Sequence, residues 1–334
     1  MGDRLNPWIV EITRGQYVES SSIGHGIVVN ADGAELLAFG EKKRETFPRS
    51  AAKWIQALEL VLSGAADALG LTDDHLAIAC ASHNGEPEHV ALVNAWLGQL
   101  GLVIEDLECG VSLPFTEPVR LKLSHDHVPA TQLHHCCSGK HVAMLAICKK
   151  RGWSTDGYTD YAHPLQARIR QHMTTIFGLD ADSLDYATDG CSVPTYLLPL
   201  DIMALGFAKL GAGHFSTELN RAASRLRHAQ ARAPFMVAGS ERLDSQLLQA
   251  GQGRLQVKMG AEGVYLGTIP DRNIGFALKC EDGSLRGQEA LVIELLATIG
   301  EKDLINRLPN AVIKPIIRSA RGLPIGQVVV RKPI

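Results

Sequence analysis

The chain changes its pattern of hydrophobic and polar positions twice. Residues 8–12 alternate with a period of two, and residues 26–39 form two such runs around the turn Ala31-Asp32-Gly33, which predicts a strand followed by a β-hairpin. From Ser50 to Gly70 the period becomes 3.6, which predicts a buried helix and a second short one. The same period recurs to about Ala250 and predicts helices at 87–98, 142–150, 163–177, 198–210, 216–231 and 241–250.

After Gly251 the period of two returns. It predicts strands at 255–258, 263–268, 274–279, 312–317 and 325–330, with one helix at 287–299. The order of strands, helices and strands predicts an α/β protein in which residues 1–49 and 251–334 form one antiparallel sheet flanked by helices. Residues 50–250 are then a mainly helical lobe, and we expect the active site in the cleft between the two lobes.

Composition narrows the class of protein. Of the 334 residues, 46% are hydrophobic and 21% charged, and the net charge is −3, which is typical of a soluble globular protein. Basic residues are dispersed and aromatic residues are 5%, which argues against a nucleic-acid partner. No apolar run approaches the ~20 residues of a membrane helix. Seven cysteines without a visible signal peptide lead us to expect reduced thiols in the cytoplasm.

A serine and a lysine three residues apart begin the first helical segment. Pro48 favours a helix start, and Ser50 and Lys53 would share one face of that helix. A serine hydroxyl beside a lysine amine is a candidate nucleophile, although an N-cap serine with a solvated lysine explains the same pattern.

Two further short motifs follow in the chain. The order Ser50-x-x-Lys53, Ser82-His83-Asn84 and Lys258-Met259-Gly260 is that of the serine β-lactamases and penicillin-binding proteins. The match is imperfect, since S-D-N reads S-H-N and K-T-G reads K-M-G. Each motif is weak alone, and the shared order is what favours a catalytic serine.

The chemistry requires these residue types. Serine is a poor nucleophile without a base, and a lysine is a base only when neutral, which burial or a second nearby cation favours. Lys53 and Lys258 would depress each other's pKa if they met in one cleft. The helix start at Ser50 would stabilise developing negative charge. Backbone N–H groups at Ser50 and after Lys258 would form an oxyanion hole, and Gly260 would let a substrate approach closely.

A second cluster combines cysteine and lysine. Cys137-x-x-Lys140 and Cys191 are compatible with buried reduced cysteines or with a metal site. His134, His135 and His141 are close in sequence, and each alone is typical of a packed or surface residue.

The chain resembles the bacterial L-asparaginase II family, typified by the rhizobial enzymes. The resemblance rests on motifs that span nearly the whole chain: Val10–Gly15, Val18–Ser20, Phe47–Lys53, Cys80–Pro87, Cys137–His141, Asp189–Cys191 and Lys258–Gly263. It implies the fold of the serine β-lactamases and glutaminases, hydrolysis of L-asparagine to L-aspartate and ammonia, and a homodimer. It also implies two Ser–Lys pairs, Ser50 with Lys53 and Ser82 with Lys258.

The resemblance further implies one Zn²⁺ per chain beside the substrate pocket, bound by Cys137, Lys140 and Cys191. A lysine ligand must be deprotonated, so this would also be a site of perturbed pKa. Cys136 departs from the family, where we expect a polar residue such as asparagine. Cys136 therefore offers an alternative thiolate near the metal.

The resulting hypothesis is an acyl-enzyme mechanism. Ser50 attacks the side-chain amide, neutral Lys53 accepts its proton, and Ser82, tuned by Lys258, relays a proton to the leaving ammonia. Three residues are predicted to bind substrate: Arg49 at its carboxylate, Asp189 at its ammonium, and His83. For Arg49 and Asp189 a structural salt bridge is an equal alternative. Which serine attacks first stays open, with Ser50 preferred.

Three other functions compete with this hypothesis. A glutaminase or broader amidohydrolase differs only in pocket size, because one methylene separates the two substrates. A β-lactam hydrolase is less favoured. A zinc- or amino-acid-binding protein without catalysis is a rival of another class, which the intact serines and lysines argue against.

Overall fold

The chain folds into two units, seen in a computed structural model that describes residues 5–180 and 184–333. The sheet unit comprises Met1–Ala51, Leu197–His214 and Ala250–Ile334, and the helical unit comprises Ala52–Tyr196 and Phe215–Gln249. The α/β class predicted from the alternating patterns is confirmed.

An eight-stranded antiparallel sheet forms the body of the sheet unit. Its strands are β1 (Trp8–Arg14), β2 (Tyr17–Asn30), β3 (Glu35–Phe39), β8 (Gln256–Gly260), β9 (Val264–Ile269), β10 (Ile274–Cys280), β11 (Ile316–Arg318) and β12 (Pro324–Arg331). Their order is β11-β12-β1-β2-β10-β9-β8, with β3 also paired to β2. Both ends of the chain thus share one sheet, because β1 pairs with β12 and β2 with β10.

Helices cover both faces of this sheet. The peptide groups of α9 (Leu200–Ala212) lie so close to Gly275 that a side chain there would meet Ala204 and Ala208. The thiol of Cys280, five residues along β10, lies against Gly287 in α13 (Leu285–Thr298). Side chains alternate between the faces of a strand, so α9 and α13 pack on opposite sides.

The position of α9 corrects the predicted boundary. Residues 197–214 were expected in the helical lobe, but the structure places them in the sheet unit. The physical reason is that Gly275 in β10 and Gly211 in α9 allow close contact with the sheet. A 3.6-residue period shows that a helix has an apolar face but not which surface that face covers.

The helical unit contains most of the other helices: α1 (Lys53–Gln56), α2 (Leu58–Leu62), α3 (Ala65–Ala68), α4 (Asp73–Ala79), α5 (Pro87–Leu100), α6 (Glu117–His125), α7 (Ser138–Arg151), α8 (Pro164–Phe177), α10 (Thr217–Arg232), α11 (Pro234–Ala238) and α12 (Leu243–Gly251, ending in the sheet unit). Short strand pairs are β5 (Tyr186–Thr188) with β6 (Pro194–Tyr196) in this unit, and β4 (Glu45–Thr46) with β7 (Leu198–Pro199) in the sheet unit.

The helix α7 is central to the helical unit. Every residue from Ser138 to Cys148 is buried. Gly139 permits contact with α4, since a Cβ at that position would overlap the carbonyl oxygen of Ile78. Polar residues at the start of α7 are therefore held in the protein interior.

Two predicted elements differ from the structure. The buried helix and the short second helix expected from Ser50 to Gly70 are instead a 3₁₀ turn, Arg49–Ala52, followed by the separate helices α1, α2 and α3. The strand expected at 312–317 is shorter, because residues Asn310–Ile313 form α15, after α14 (Lys302–Ile305). No helix among the described residues is long and apolar enough to cross a membrane.

A buried carboxylate joins three helices of the helical unit. Glu59 in α2 is fully buried and accepts hydrogen bonds from Arg151 (Nε, 3.1 Å), Arg168 (Nε, 3.0 Å) and His172 (Nε2, 2.8 Å). Burial opposes ionisation, but hydrogen bonds from these three residues lower the pKa of Glu59 to about 2.

We predict that Glu59→Gln destabilises the protein by about 3 kcal/mol at neutral pH, because it leaves two arginines without their buried partner. The folded-state pKa lies below the ordinary value, so the ionised carboxylate stabilises above about pH 4.5 and this contribution is lost as the pH falls toward 2. Urea unfolding from pH 7 to pH 3 measures the difference, which should shrink with acidification. Glu19→Gln, in an exposed pair with Arg14, is the control and should leave stability nearly unchanged, because water screens that pair. An equal effect of both variants contradicts the prediction.

Candidate active site

The fully buried amine of Lys53 is the centre of the candidate site in the helical unit. Its Nζ donates to the carbonyl oxygen of Ala81 and lies 2.9 Å from Ser82 Oγ and 3.1 Å from Cys137 Sγ. These partners come from the end of α4 and the start of α7. Helix α1 thus places the lysine where the two segments meet.

The number of hydrogens on the Lys53 amine decides whether it could accept a proton from Ser82. An ammonium group would use its three hydrogens on the three acceptors. A neutral amine would donate to Ala81 and Cys137 and keep a lone pair for a hydroxyl proton. The geometry therefore brings Lys53 into contact with Ser82, although they are 29 residues apart in sequence. The predicted pairs matched Lys53 to Ser50 and Ser82 to Lys258.

Ser50 lies in the sheet unit, within the 3₁₀ turn Arg49–Ala52. Arg49 has a φ of 51°, in the left-handed region that non-glycine residues rarely adopt. Ser50 is half-buried, whereas Ser82 is only 6% exposed. Since α1 has only four residues, the helix-dipole argument for Ser50 is weaker than the sequence suggested.

Gly260 supports this turn. A Cβ at Gly260 would overlap the carbonyl oxygen of Pro48, directly before Arg49 and Ser50. We expected this glycine to admit a substrate; the observed close approach is instead that of the protein's own backbone.

Lys258 lies on β8 of the sheet unit and is 1% exposed. Its Nζ donates to the carbonyl oxygen of Met259 at 3.1 Å. The predicted pairing of Lys258 with Ser82 joins residues of different units and stays a prediction.

His83 is fully buried and both of its ring nitrogens are engaged. Nδ1 accepts from the backbone N–H of Gly85 at 3.1 Å, which leaves Nε2 to donate to Ser138 Oγ at 2.9 Å. Burial, and then the neighbouring His89 and Lys53, hold the pKa of His83 well below its ordinary value. These contacts let His83 position the start of α7, and its predicted binding of substrate stays a prediction.

A polar network beside Ser82 was not visible in the sequence. Asn84 Nδ2 donates to Glu86 Oε1 (2.9 Å) and to the carbonyl oxygen of Ser240 (3.1 Å), and Asn84 Oδ1 accepts from Arg242 (3.0 Å). Burial acts against the ionised carboxylate of Glu86, but hydrogen bonds from Asn84 and Ser240 lower its pKa. The network fixes the chain after Ser82 to residues more than 150 positions away, which no local motif reports.

The three predicted metal ligands all lie in the helical unit. Lys140 Nζ lies 2.9 Å from Cys191 Sγ, and Cys137 directly precedes the helix α7 that carries Lys140. Asp189, predicted to bind substrate, is half-buried, and its Oδ2 accepts from Cys191 Sγ at 3.5 Å. That contact places the Asp189 carboxylate beside one of the predicted metal ligands, Cys191.

Electrostatics favour a thiolate in this cluster. Hydrogen bonds from Cys136 and Cys191 lower the pKa of Cys137 well below its ordinary value, although burial opposes the shift. Burial acts against a charged Lys140, but the neighbouring Cys191, Cys137 and Asp189 outweigh it and raise its pKa, so a metal bound there would have to displace a proton from this amine. Two thiols and one amine provide sulfur and nitrogen donors, which bind zinc, whereas magnesium and calcium prefer oxygen, so the donor set fits the expected metal.

The sequence matches the L-asparaginase II family over residues 10–330. The chain belongs to the L-asparaginase II family. The predicted resemblance is thereby confirmed. No individually curated protein gives a significant match.

Two solved structures are similar to this L-asparaginase II family member at low identity. One is a candidate beta-lactamase from Bacteroides dorei DSM 17855, with 14% identity, a TM-score of 0.43, and coverage of 85% of this chain and 93% of that chain. The other is the D-alanine carboxypeptidase AmpC from Burkholderia cenocepacia, with 10% identity, a TM-score of 0.38 and the same coverage of 85% and 93%. These likenesses are weak, and the assignment to the family rests on the sequence match.

We predict that Gly260→Ala lowers kcat for amide hydrolysis by about 100-fold, because the added methyl group displaces Pro48 and with it Ser50. Steady-state ammonia release measures the effect. Gly98→Ala is the matched control, since Gly98 lies in α5 with open space around it. It should keep full activity and gain up to about 1 kcal/mol of stability. Full activity of Gly260→Ala would show that the position of the turn does not matter for turnover.

Proposed function

We propose that this protein is an L-asparaginase that hydrolyses L-asparagine to L-aspartate and ammonia through a serine acyl-enzyme. Membership of the L-asparaginase II family indicates an amidohydrolase acting on a small-molecule amide. The single observation that carries the mechanistic part is the contact of buried Lys53 with Ser82 at 2.9 Å. The predicted homodimer and cytoplasmic location are part of the same proposal.

Ser50 is the proposed nucleophile. Its greater exposure compared with Ser82 supports this choice, because the attacking oxygen must reach the substrate. Ser50 Oγ attacks the side-chain amide carbon, and the neutral amine of Lys53 takes the hydroxyl proton. The resulting oxyanion would be stabilised by the backbone N–H groups predicted at Ser50 and after Lys258.

Ser82 carries the proton to the leaving group. Protonated Lys53 passes a proton to Ser82 Oγ as the Ser82 hydroxyl gives its own to the amide nitrogen, and the C–N bond breaks to release ammonia. A water molecule then attacks the β-aspartyl ester, its proton returns through the same pair, and Ser50 Oγ is released. Lys258 is proposed to tune Ser82 from the sheet unit.

Two charged residues are proposed to orient the substrate: Arg49 at the α-carboxylate and Asp189 at the α-ammonium. The unusual φ of Arg49 supports a functional constraint on its side chain. Cys137, Lys140 and Cys191 would hold one zinc ion per chain, whose chemistry when bound is to fix the start of α7 and Asp189 through the shared cluster.

We predict that Ser50→Ala and Ser82→Ala each lower kcat for asparagine by a factor of about 10³–10⁴, since the members of a catalytic unit act together. The double variant should be little worse than either single variant. Coupled detection of ammonia from L-asparagine and L-glutamine measures turnover and the preference between the two amides.

Trapping the acyl-enzyme distinguishes the roles of Ser50 and Ser82. Mass spectrometry of quenched wild-type protein should find the β-aspartyl group on the peptide containing Ser50. Ser82→Ala should still form this ester slowly, and Ser50→Ala should not. Ser124→Ala, on exposed α6, is the control and should keep full turnover. An ester on Ser82 would reverse the assigned roles. Ammonia release from L-glutamine but not from L-asparagine would identify a glutaminase. No ammonia release from either amide would favour a binding protein without catalysis.

A further inference from the structure

Residues 110–131 form a long excursion on the surface of the helical unit, and its two ends meet. At the base of the excursion the thiol of Cys109 lies 3.8 Å from the carbonyl oxygen of Gln132, 23 residues further along the chain. Cys109 and Leu133 are buried, whereas no residue of α6, which lies within the excursion, is buried. A segment with so few buried contacts separates from the body of a protein at little cost.

The excursion is tied together internally and has a pivot at one end. Arg120 Nη1 donates to the carbonyl oxygens of Pro114 (3.1 Å) and Phe115 (2.8 Å), which links α6 to the chain before it. Gly110, the first residue of the excursion, has a φ of 74°, and a Cβ there would meet nothing within 4 Å. A glycine in open space can change its backbone angles without a steric clash, so the excursion can move as one body.

The base of the excursion lies against the segment that follows Ser82. A Cβ at Gly85 would come within 3.0 Å of the carbonyl oxygen of His134, directly after the excursion. The backbone N–H of His83 donates to the carbonyl oxygen of Cys136 at 3.1 Å. The chain therefore leaves and re-enters the helical unit next to residues 83–85.

The middle of the excursion reaches the same segment through an arginine. The guanidinium carbon of Arg242 lies 3.9 Å from the ring centre of Phe115, and Arg242 Nη1 donates to Asn84 Oδ1 at 3.0 Å. Arg242 is buried although the Phe115 ring is partly exposed, because the ring covers one face of the guanidinium. Base and middle thus both contact the three residues that follow Ser82.

We propose that residues 110–131 are a lid over the segment that carries Ser82, and that the stacking of Phe115 on Arg242 is its latch. In the closed state Arg242 is held by the ring and in turn holds Asn84, two residues after Ser82. Opening at Gly110 breaks the stack and exposes the segment to water, and closing excludes water from it. The inference rests on the role of Ser82 in the proposed function, but the latch is testable without substrate.

Hydrogen exchange of the unliganded protein is the first test. One cation–π contact changes an equilibrium by a factor of about 2–30, so Phe115→Ala should shift the lid about 10-fold toward the open state. The hydrogen-bonded amides of His83, Gly85 and Glu86 should then exchange about 10-fold faster, as measured by mass spectrometry. Phe115→Tyr keeps the ring and should exchange like the wild type.

Leu113→Ala is the matched control. Leu113 is an exposed apolar residue of the same excursion, and its variant should leave the exchange of residues 83–86 unchanged. Wild-type exchange of these residues in Phe115→Ala would overturn the proposal. So would an equal acceleration in α10, because that would indicate a general loss of stability rather than an open latch.

Turnover tests whether the lid acts on the site. Saturating L-aspartate should slow exchange in α6 of the wild type about 10-fold. Phe115→Ala should raise KM for L-asparagine about 10-fold with kcat within about 3-fold, since only the closed fraction binds tightly, and Phe115→Tyr should restore KM. Turnover with an unchanged KM in Phe115→Ala refutes only the lid. Absence of turnover in the wild type refutes only the proposed function, because exchange without ligand still decides the lid.

Discussion

The helical unit depends on how it accommodates the buried amine of Lys53. Removing a charged or polar amine from water costs several kcal/mol unless it finds partners. Lys53 finds three, from the backbone at Ala81, the hydroxyl of Ser82 and the thiol of Cys137. The amine therefore fixes the end of α4 and the start of α7 relative to α1. Without those partners the same lysine would be a buried unsatisfied group.

The packing of α7 makes this arrangement possible. A helix that is buried all round must bring its polar residues into the interior with it, and here Ser138, Lys140 and His141 are all buried. Each has a local partner: Ser138 contacts His83 and Leu133, Lys140 contacts Cys191, and Nδ1 of His141 contacts Tyr158, while Nε2 of His141 is buried without a partner among the described residues. The close contact at Gly139 keeps the helix near α4. The polar cluster is thus held by the same contacts that form the hydrophobic core.

The sequence predicts candidate residues but not which of them are in contact. The order of short motifs singles out Ser50, Lys53, Ser82 and Lys258 as candidates, because such motifs are local in the chain. It matched Lys53 with Ser50, three positions away, whereas the structure shows a contact with Ser82. Such a contact depends on where α4 ends relative to α1, and no periodicity encodes that distance.

The other differences between the predicted and the observed structure also arise from tertiary contacts. Most helices and the strands β8 to β10 follow from periodicity alone, since a helix or strand is a local structure. The placement of α9 against the sheet depends on tertiary contact at Gly275, and the network around Asn84 depends on Arg242. An isolated arginine in a helix-rich segment carries no signal that it meets an asparagine 158 positions earlier.

The sulfur atom of Cys137 belongs to two features of the helical unit, the contacts of Lys53 and the cysteine–lysine cluster. Cys137 Sγ contacts both Lys53 and the thiol of Cys136. A cation bound to that sulfur would draw electron density away from it and weaken it as an acceptor for Lys53. Zinc held at Cys137 would then affect the contact of Lys53 with Ser82 through this shared atom, by position and by charge. In the proposed mechanism serine and lysine would break the carbon–nitrogen bond, and the metal would act on them through Cys137.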